Sequence, residues 1–443
     1  MINRILGFFD RLFSLKKNNT TFAREVIAGI TTFSAMAYIL AVNPAILANA
    51  GMDKLVLISV TAIAAALGCV LIAFIANSPI AIAPTMGSNA FFAFVICVGM
   101  GLQWQEALSL VFYNGIFFLI ISVTGIREKL MQAVPPTLHI GLQAGIGLFI
   151  AFLGLQTAGL AIASESTLVA FPEINKPEIL FALAGIALMS VLFIRNVFGG
   201  ILLSVLIMTG VGLFITGSNG EAISCLASEC FSMPTGISST FFQLDFAYPF
   251  KNFSVALPII FTLLIVDIFD TLGSAIAMAK VAGFADKNGK IKGVNKIFLA
   301  DSISTITGSL LGASTTGAYV ESATGIESGG RTGLTSLVVG ILFLLALFVS
   351  PIINMIPPQA VAPSLIIVGL LMLKSFKDIN YSDFAEFMPA VLCMLVITLS
   401  CKITEGFAFG LIAYVILMIA TKRAKQINLA TWVLFAIMLV YLI

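Results

Sequence analysis

From residue 23 to residue 421 the chain is a succession of long apolar runs, each closed by a short polar, charged or glycine-rich stretch. Many of the runs last 15–22 residues, enough for a helix to cross a hydrocarbon core ~30 Å thick. They predict helices near 23–47, 55–76, 79–97, 104–124, 138–159, 177–194, 198–216, 253–279, 296–312, 315–328, 332–350, 360–373, 387–401 and 404–421, fourteen in all. A last apolar stretch, 429–443, either lies on the membrane surface or crosses it again. Residues 1–19 follow another pattern. Ile5, Leu6, Phe8, Phe9, Leu12 and Phe13 are interrupted by Arg4, Asp10 and Arg11 at near-helical spacing. That is an amphipathic helix lying on the bilayer, not a signal peptide; a frayed basic tail is the alternative.

Two of the fourteen runs are poor helices. In the third, SPIAIAPTMGSNAFF, Pro79 and Pro84 rule out a regular helix start. In the tenth, GASTTGAYVES, serine, threonine and glycine crowd ahead of Glu321. Irregular backbone at membrane depth survives only where protein or a water-filled cavity satisfies its polar groups. Broken helices at corresponding positions of two halves point to a transporter's binding site. The two breaks are seven spans apart, so fourteen spans read as two sevens of opposite orientation.

Charge orients the array. With the N-terminus inside, Lys54, Lys176, Lys251 and Lys402 fall outside, leaving nineteen of the 23 Lys and Arg on the cytoplasmic side. The positive-inside rule therefore supports both span number and direction. Composition agrees: 59% hydrophobic, 10% charged and a mean hydropathy of +1.09 place the chain in lipid. The net charge of +2 and the lack of a basic arm give no sign of nucleic-acid binding. Six cysteines are scattered, and only Cys225 and Cys230 lie close together, as a loop disulfide or as two free thiols. No metal site or cofactor is expected, since the single histidine is far from them in sequence.

Against this apolar background three acids stand out: Asp267 and Asp270 in LLIVDIFDTLG, and Glu321 in the tenth run. A carboxylate at mid-bilayer costs roughly 3 kcal/mol on insertion scales, so such residues mark a polar pathway or site. A structural intramembrane pair is the bland alternative for Asp270 and Glu321, and a brace within the span for Asp267. His139 follows Pro135 and Pro136 at the mouth of the fifth span and reads as a structural residue. GGRTG lacks the Gly-Lys-Ser/Thr end of a phosphate loop, so Arg331 and Thr332 are expected to cap and anchor the eleventh span. The loop 280–296 reads as a solvated turn.

Five segments in order carry a resemblance: REVIAGITTFSAMAYILAVNPAIL, APTMGSNAFFAF, GIGLFIAFLGLQTAGL, DIFDTLGS and GASTTGAYVESATGIESGGRTGLT. Together they resemble the AzgA-like hypoxanthine/guanine (purine) permeases of the nucleobase–cation symporter superfamily, over nearly the whole chain. The resemblance implies an all-α polytopic fold of fourteen transmembrane segments in two inverted seven-helix repeats. Residues 23–125 and 253–350 would form a core domain; 138–216 and 360–421 would form a gate domain. Residues 1–22 would be a cytoplasmic amphipathic segment, 217–252 an extracytoplasmic loop and 422–443 a tail helix. Short antiparallel strands would pair between spans 3 and 10. The resemblance also implies a plasma-membrane homodimer that imports purine bases with a proton.

Residue by residue, the resemblance assigns substrate binding to Asp270 and Glu321, the space beside the base to Asn89 and Phe91, and a wall position to Tyr319; a polar bridge between helices is the alternative for Asn89, and plain packing for Phe91 and Tyr319. It departs at span 3, where Thr85 replaces a glycine and Ser88 a leucine of the usual motif. The chemistry suits an oxopurine, which is planar, neutral and rimmed with donors and acceptors. A carboxylate accepts two hydrogen bonds side by side; an aromatic ring covers a face. Desolvation disfavours the charged form of a carboxylate, and like charges three residues apart on one helix face oppose joint ionisation. Asp267 and Asp270 are therefore the proton-coupling candidates, with the core sliding against the gate. IFDT and STTGAYVES favour hypoxanthine and guanine over adenine. An anion transporter of this fold is the second reading; no cluster of acid, base and nucleophile suggests an enzyme.

Overall fold

The computed structural model describes residues 2–124, 134–195, 197–227, 229–282 and 293–442. A surface helix, α1 (Ile2–Phe13), leads into the first predicted span, which breaks into α2 (Phe22–Met36) and α3 (Ile39–Leu47). The apolar run reads as one helix. Thr31 and Ser34 hydroxyls, however, donate back to the carbonyls of Ile27 and Ile30, each at 2.8 Å, and such back-bonding bends helices. The turn at Ala37 and Tyr38 follows directly. Next come α4 (Lys54–Ile75), strand β1 (Ile82–Pro84), the half-helix α5 (Met86–Ala90) running on as a π-helical stretch over Phe91–Gly99, and α6 (Trp104–Thr124). The first half closes with α7 (Pro136–Thr157), the hairpin β2 (Ile162–Ser164) and β3 (Leu168–Ala170), α8 (Pro177–Ile194) and α9 (Gly200–Gly212).

The second half repeats this order. After the short α10 (Tyr248–Lys251) come α11 (Phe253–Ala282), α12 (Val294–Leu311), strand β4 (Thr316–Ala318), half-helix α13 (Ser322–Glu327) and α14 (Gly333–Ala346). Then follow α15 (Ser350–Asn354), α16 (Pro358–Met372), α17 (Phe384–Ser400), α18 (Ile403–Ala420) and α19 (Leu429–Leu442). Helical elements or strand-plus-half-helix breaks thus stand at all fourteen predicted positions. Among the described residues, eight helices are long and apolar enough to cross a membrane by length and composition. The 14-residue α19 packs along α18.

Starts and stops follow local chemistry. Asp53 caps α4 by accepting from Leu55 N at 2.7 Å, and Asp383 caps α17 through Ala385 N at 3.1 Å. Prolines at the first turn open α7, α8 and α16. Thr332 caps α14, as the GGRTG segment leads one to expect. Arg331 turns its guanidinium back onto the carbonyls of Ile326 and Gly330, both at 2.7 Å. The same corner holds a fully buried carboxylate. Glu25, in the first turn of α2, accepts from Arg331 N (2.9 Å), from the Thr332 hydroxyl (2.8 Å) and from the Thr335 hydroxyl (2.7 Å). Asn77 completes it: its amide donates to Phe13 O at 3.0 Å and accepts from Gly333 N at 2.8 Å. The surface helix is thereby tied to the starts of α2 and α14, with Phe13 and Leu15 buried against Ala73 and Leu334.

Helix neighbours sort into two sets. In one, α2, α4, α6, α11, α12, α13 and α14 pack on one another; in the other, α7, α8, α9, α16, α17, α18 and α19 do so. Contacts between the sets are sparse and include α5 on α7 and α9 on α2. The strands join the two halves of the chain inside the first set: β1 and β4 pair antiparallel, Ile82 opposite Ala318, Ala83 opposite Gly317 and Pro84 opposite Thr316. Cys225 and Cys230 are both free thiols on the surface. Most of the predicted turn at 280–296 lies outside the described residues.

Candidate functional site

Between the two sets lies a cavity of about 1020 Å³, at the upper end of ligand pockets. Its polar wall comes from the broken spans and α11: Thr85 and Ser88 after β1, Asp270 and Ser274 on α11, Tyr319 and Glu321 after β4. The opposite wall is mostly aliphatic, with Leu142, Ile146 and Ile150 of α7 and Val368 and Leu371 of α16. The lining also includes Thr324, Glu327, Ser328 and Asp378.

Glu321 occupies the position just before α13, yet its side chain does not cap that helix. It accepts instead from the Tyr38 hydroxyl at 2.7 Å, and Tyr38 stands at the break between α2 and α3. Among the described residues no side chain hydrogen-bonds Asp270, which leaves its carboxylate open to the cavity. A Cβ added to Gly317 would fall 2.5 Å from the Thr85 methyl, so glycine lets β4 pass this close to Thr85 after β1, while Asp270 Oδ2, 3.8 Å away, would be in ordinary contact. Tyr319 turns its ring to the cavity while its hydroxyl donates to Pro84 O at 2.6 Å and its N–H to Ala81 O at 2.9 Å. That hydroxyl spends its proton on the strand pair, so toward a ligand it could only accept.

The other sequence-derived residues lie behind the wall. Asp267 is buried and accepts from Ser88 Oγ at 3.0 Å and from Asn114 Nδ2 at 2.6 Å. Asn89 is buried, donating to Asn43 Oδ1 at 2.6 Å and accepting from Thr315 Oγ1 at 3.3 Å. Phe91 begins the π-helical stretch and is packed in the core. Neither Asn89 nor Phe91 lines the cavity. The two departures in span 3 find partners: Thr85 N donates to Thr315 O at 3.1 Å and its hydroxyl meets that of Thr315 at 3.0 Å, while Ser88 serves Asp267. The local turn is held by these bonds. His139 contacts Val134 O at 3.0 Å, at the start of α7.

Sequence reasoning missed three groups. Tyr38 looks like one more aromatic in an apolar run. Asn114, midway along α6, carries no motif. Asp301 on α12 is fully buried, receives the Thr271 hydroxyl, and lies within electrostatic reach of Asp267 and Asp270. Its Oδ1 has no hydrogen-bond partner among the described residues. The signal for Asp301 was available, since it is one more acid well inside a predicted span, 296–312.

Comparison with known proteins agrees with this architecture. The transmembrane domain of the cyanobacterial bicarbonate transporter BicA matches with a TM-score of 0.66 at 16% identity, over 87% of this chain and 96% of that one. The structure of SLC26A9 matches at 0.64 and 14%, over 90% of this chain and 65% of that one. Identities this low speak for the fold alone. Sequence relatives are nearer. The adenine permease AdeP of Escherichia coli (strain K12) is 38% identical over 422 residues, 95% of this chain and 93% of its own. The guanine/hypoxanthine permease PbuG of Bacillus subtilis (strain 168) is 39% identical over 441 residues, 97% of this chain and 98% of its own. Residues 23–409, which hold both broken spans and every acid of the cavity wall, match the Permease family (Xan_ur_permease). A multi-pass helical protein whose long relatives are named nucleobase permeases, and whose matched stretch contains the whole candidate site, this chain belongs to that family.

Proposed function

We propose that the protein imports purine nucleobases, hypoxanthine and guanine foremost, together with a proton. The observation that carries this reading is a cavity that presents Asp270 and Glu321 with the ring of Tyr319, in a chain of the Permease family. Two acceptor-rich carboxylates suit the N–H edges of a neutral base, and the aromatic ring suits its face. The anion reading has less support. All four ionisable acid–base side chains on the cavity wall other than Tyr319 are carboxylates (Asp270, Glu321, Glu327 and Asp378), and no Lys, Arg or His lines it among the described residues. An anion entering that field would be repelled.

In this reading Asp270 and Glu321 hold the base, and Asp267, braced by Ser88 and Asn114, shares the proton economy of α11 with Asp270. Asp301 joins that group as a third buried acid. The two sets of helices would act as a sliding core and a fixed gate, which suits their sparse mutual contacts and the location of the cavity between them. A homodimer in the plasma membrane, N-terminus inside, completes the picture; nineteen cytoplasmic Lys and Arg support that direction. Relatives of nearly equal identity are named for adenine and for guanine/hypoxanthine, so overall likeness does not choose the base. The IFDT and STTGAYVES segments favour the oxopurines, and adenine is the second reading.

The test is uptake of labelled hypoxanthine in cells expressing the chain, competed by adenine, guanine, xanthine and uracil, with and without a protonophore. Saturable uptake that guanine competes and the protonophore collapses is expected. Competition by adenine alone would overturn the choice of base, and uptake indifferent to the protonophore would overturn the coupling.

A further inference from the structure

The aliphatic wall of the cavity has one exception. Beside Leu142, Ile146 and Ile150, α7 presents the amide of Gln143. It is the one side-chain amide in the lining, and with Lys, Arg and His absent there it is also the one side-chain N–H donor among the described lining residues. The residue is half-buried, and among the described residues nothing hydrogen-bonds its amide. Directly against this amide lies Gly273, three residues after Asp270 and therefore on the same face of α11. A Cβ added to Gly273 would fall 2.6 Å from Gln143 Nε2. Gly273 is not among the glycines with positive φ, so backbone conformation does not demand it. A glycine inside a helix costs about 1 kcal/mol relative to alanine. What the missing side chain provides here is room for that amide beside Asp270.

The polar wall and the amide complement each other. Ionised carboxylates only accept hydrogen bonds, whereas an amide both donates and accepts. A base held through its N–H groups by Asp270 and Glu321 still presents acceptors, O6 or N7, that need a donor. We propose that Gln143 is the ligand from the opposite wall: its Nε2–H meets the acceptor at C6 of an oxopurine. The inference rests on the purine reading above. It makes the site a joint product of both helix sets, since Asp270 comes from one and Gln143 from the other.

The test is binding of hypoxanthine and adenine to the purified full-length protein, alongside uptake, for wild type, Gln143→Glu, Gln143→Leu and Gly273→Ala. Removing the donor in Gln143→Glu should shift the hypoxanthine-to-adenine affinity ratio toward adenine by about tenfold or more. Gln143→Leu should weaken hypoxanthine by about tenfold at unchanged protein level. Gly273→Ala, which displaces the amide, should weaken hypoxanthine in the wild-type background and add nothing in Gln143→Leu. An unchanged ratio in Gln143→Glu, or additive losses in the double variant, would overturn the assignment while leaving the purine reading intact. Failure of the wild-type protein to bind any purine would overturn the functional reading and this inference with it.

Discussion

The breaks in spans 3 and 10 are built alike: a three-residue strand, then a half-helix, with the two strands paired at three positions. Their side chains are spent differently. After β4, Tyr319 and Glu321 face the cavity, and Glu321 is steadied by Tyr38 from a third segment. After β1, Thr85, Ser88 and Asn89 direct their hydrogen bonds inward, to Thr315, Asp267 and the Asn43–Thr315 pair. One break carries the exposed charge; the other is a polar frame that holds it. Two structurally matched elements can thus diverge into ligand and scaffold while the pairing that joins them is kept.

Four measurements bear on that division. The largest effect belongs to the charged break: Glu321→Gln should lower uptake at least ~100-fold at normal membrane level, while Ser88→Ala in the frame stays within about tenfold. Equal losses in the two variants would erase the contrast. Next, Asn89→Leu removes the donor to Asn43 Oδ1 and leaves a buried acceptor unpaired, a loss of about 1–3 kcal/mol. It should appear as a lower thermal midpoint in detergent, beyond any change in affinity. Tyr38→Phe, which deletes one bond to Glu321, should weaken base binding by about tenfold with the thermal midpoint little moved; the reverse pattern would make Tyr38 part of the frame.

The smallest effect lies outside both breaks and serves as their control. The Arg423 hydrogen bond holds the Asp383 carboxyl below the usual carboxylate range. A carboxyl lowered by folding contributes stability that is fully present above its unfolded value, near 4, and is lost as pH falls through the folded one. The wild type should therefore lose a small increment of stability below about pH 4 that Asp383→Asn lacks, followed by thermal denaturation across pH. Base binding at neutral pH should be equal in the two proteins.

How much of this was legible beforehand depends on the length scale. Fourteen segments could be placed because apolar runs and their polar closures are local signals, and both breaks announced themselves, one through Pro79 and Pro84 and the other through a run of Ser, Thr and Gly. The kink at Tyr38 was hidden, because the apolar run passes through it with no proline or glycine between Thr31 and Asn43. Contacts across the fold were hidden too: Tyr38 and Glu321 are 283 positions apart. In a chain that is 59% hydrophobic, a helix shows no clear polar face, so sequence does not say which of Asp267 and Asp270 meets the cavity. Motif likeness put Asn89 and Phe91 beside the base. The structure sets both one layer back, where they shape the wall without forming it.

The corner built on Glu25 and Asn77 has a mechanical consequence. These bonds fasten α1 to the starts of α2 and α14, and α1 leaves Phe8 and Leu12 exposed. If that set of helices travels during transport, the surface helix must be dragged through the headgroup layer with it. Membrane viscosity would then act as friction on the transport stroke. The rate of turnover would depend on the lipid even where the affinity for the base does not.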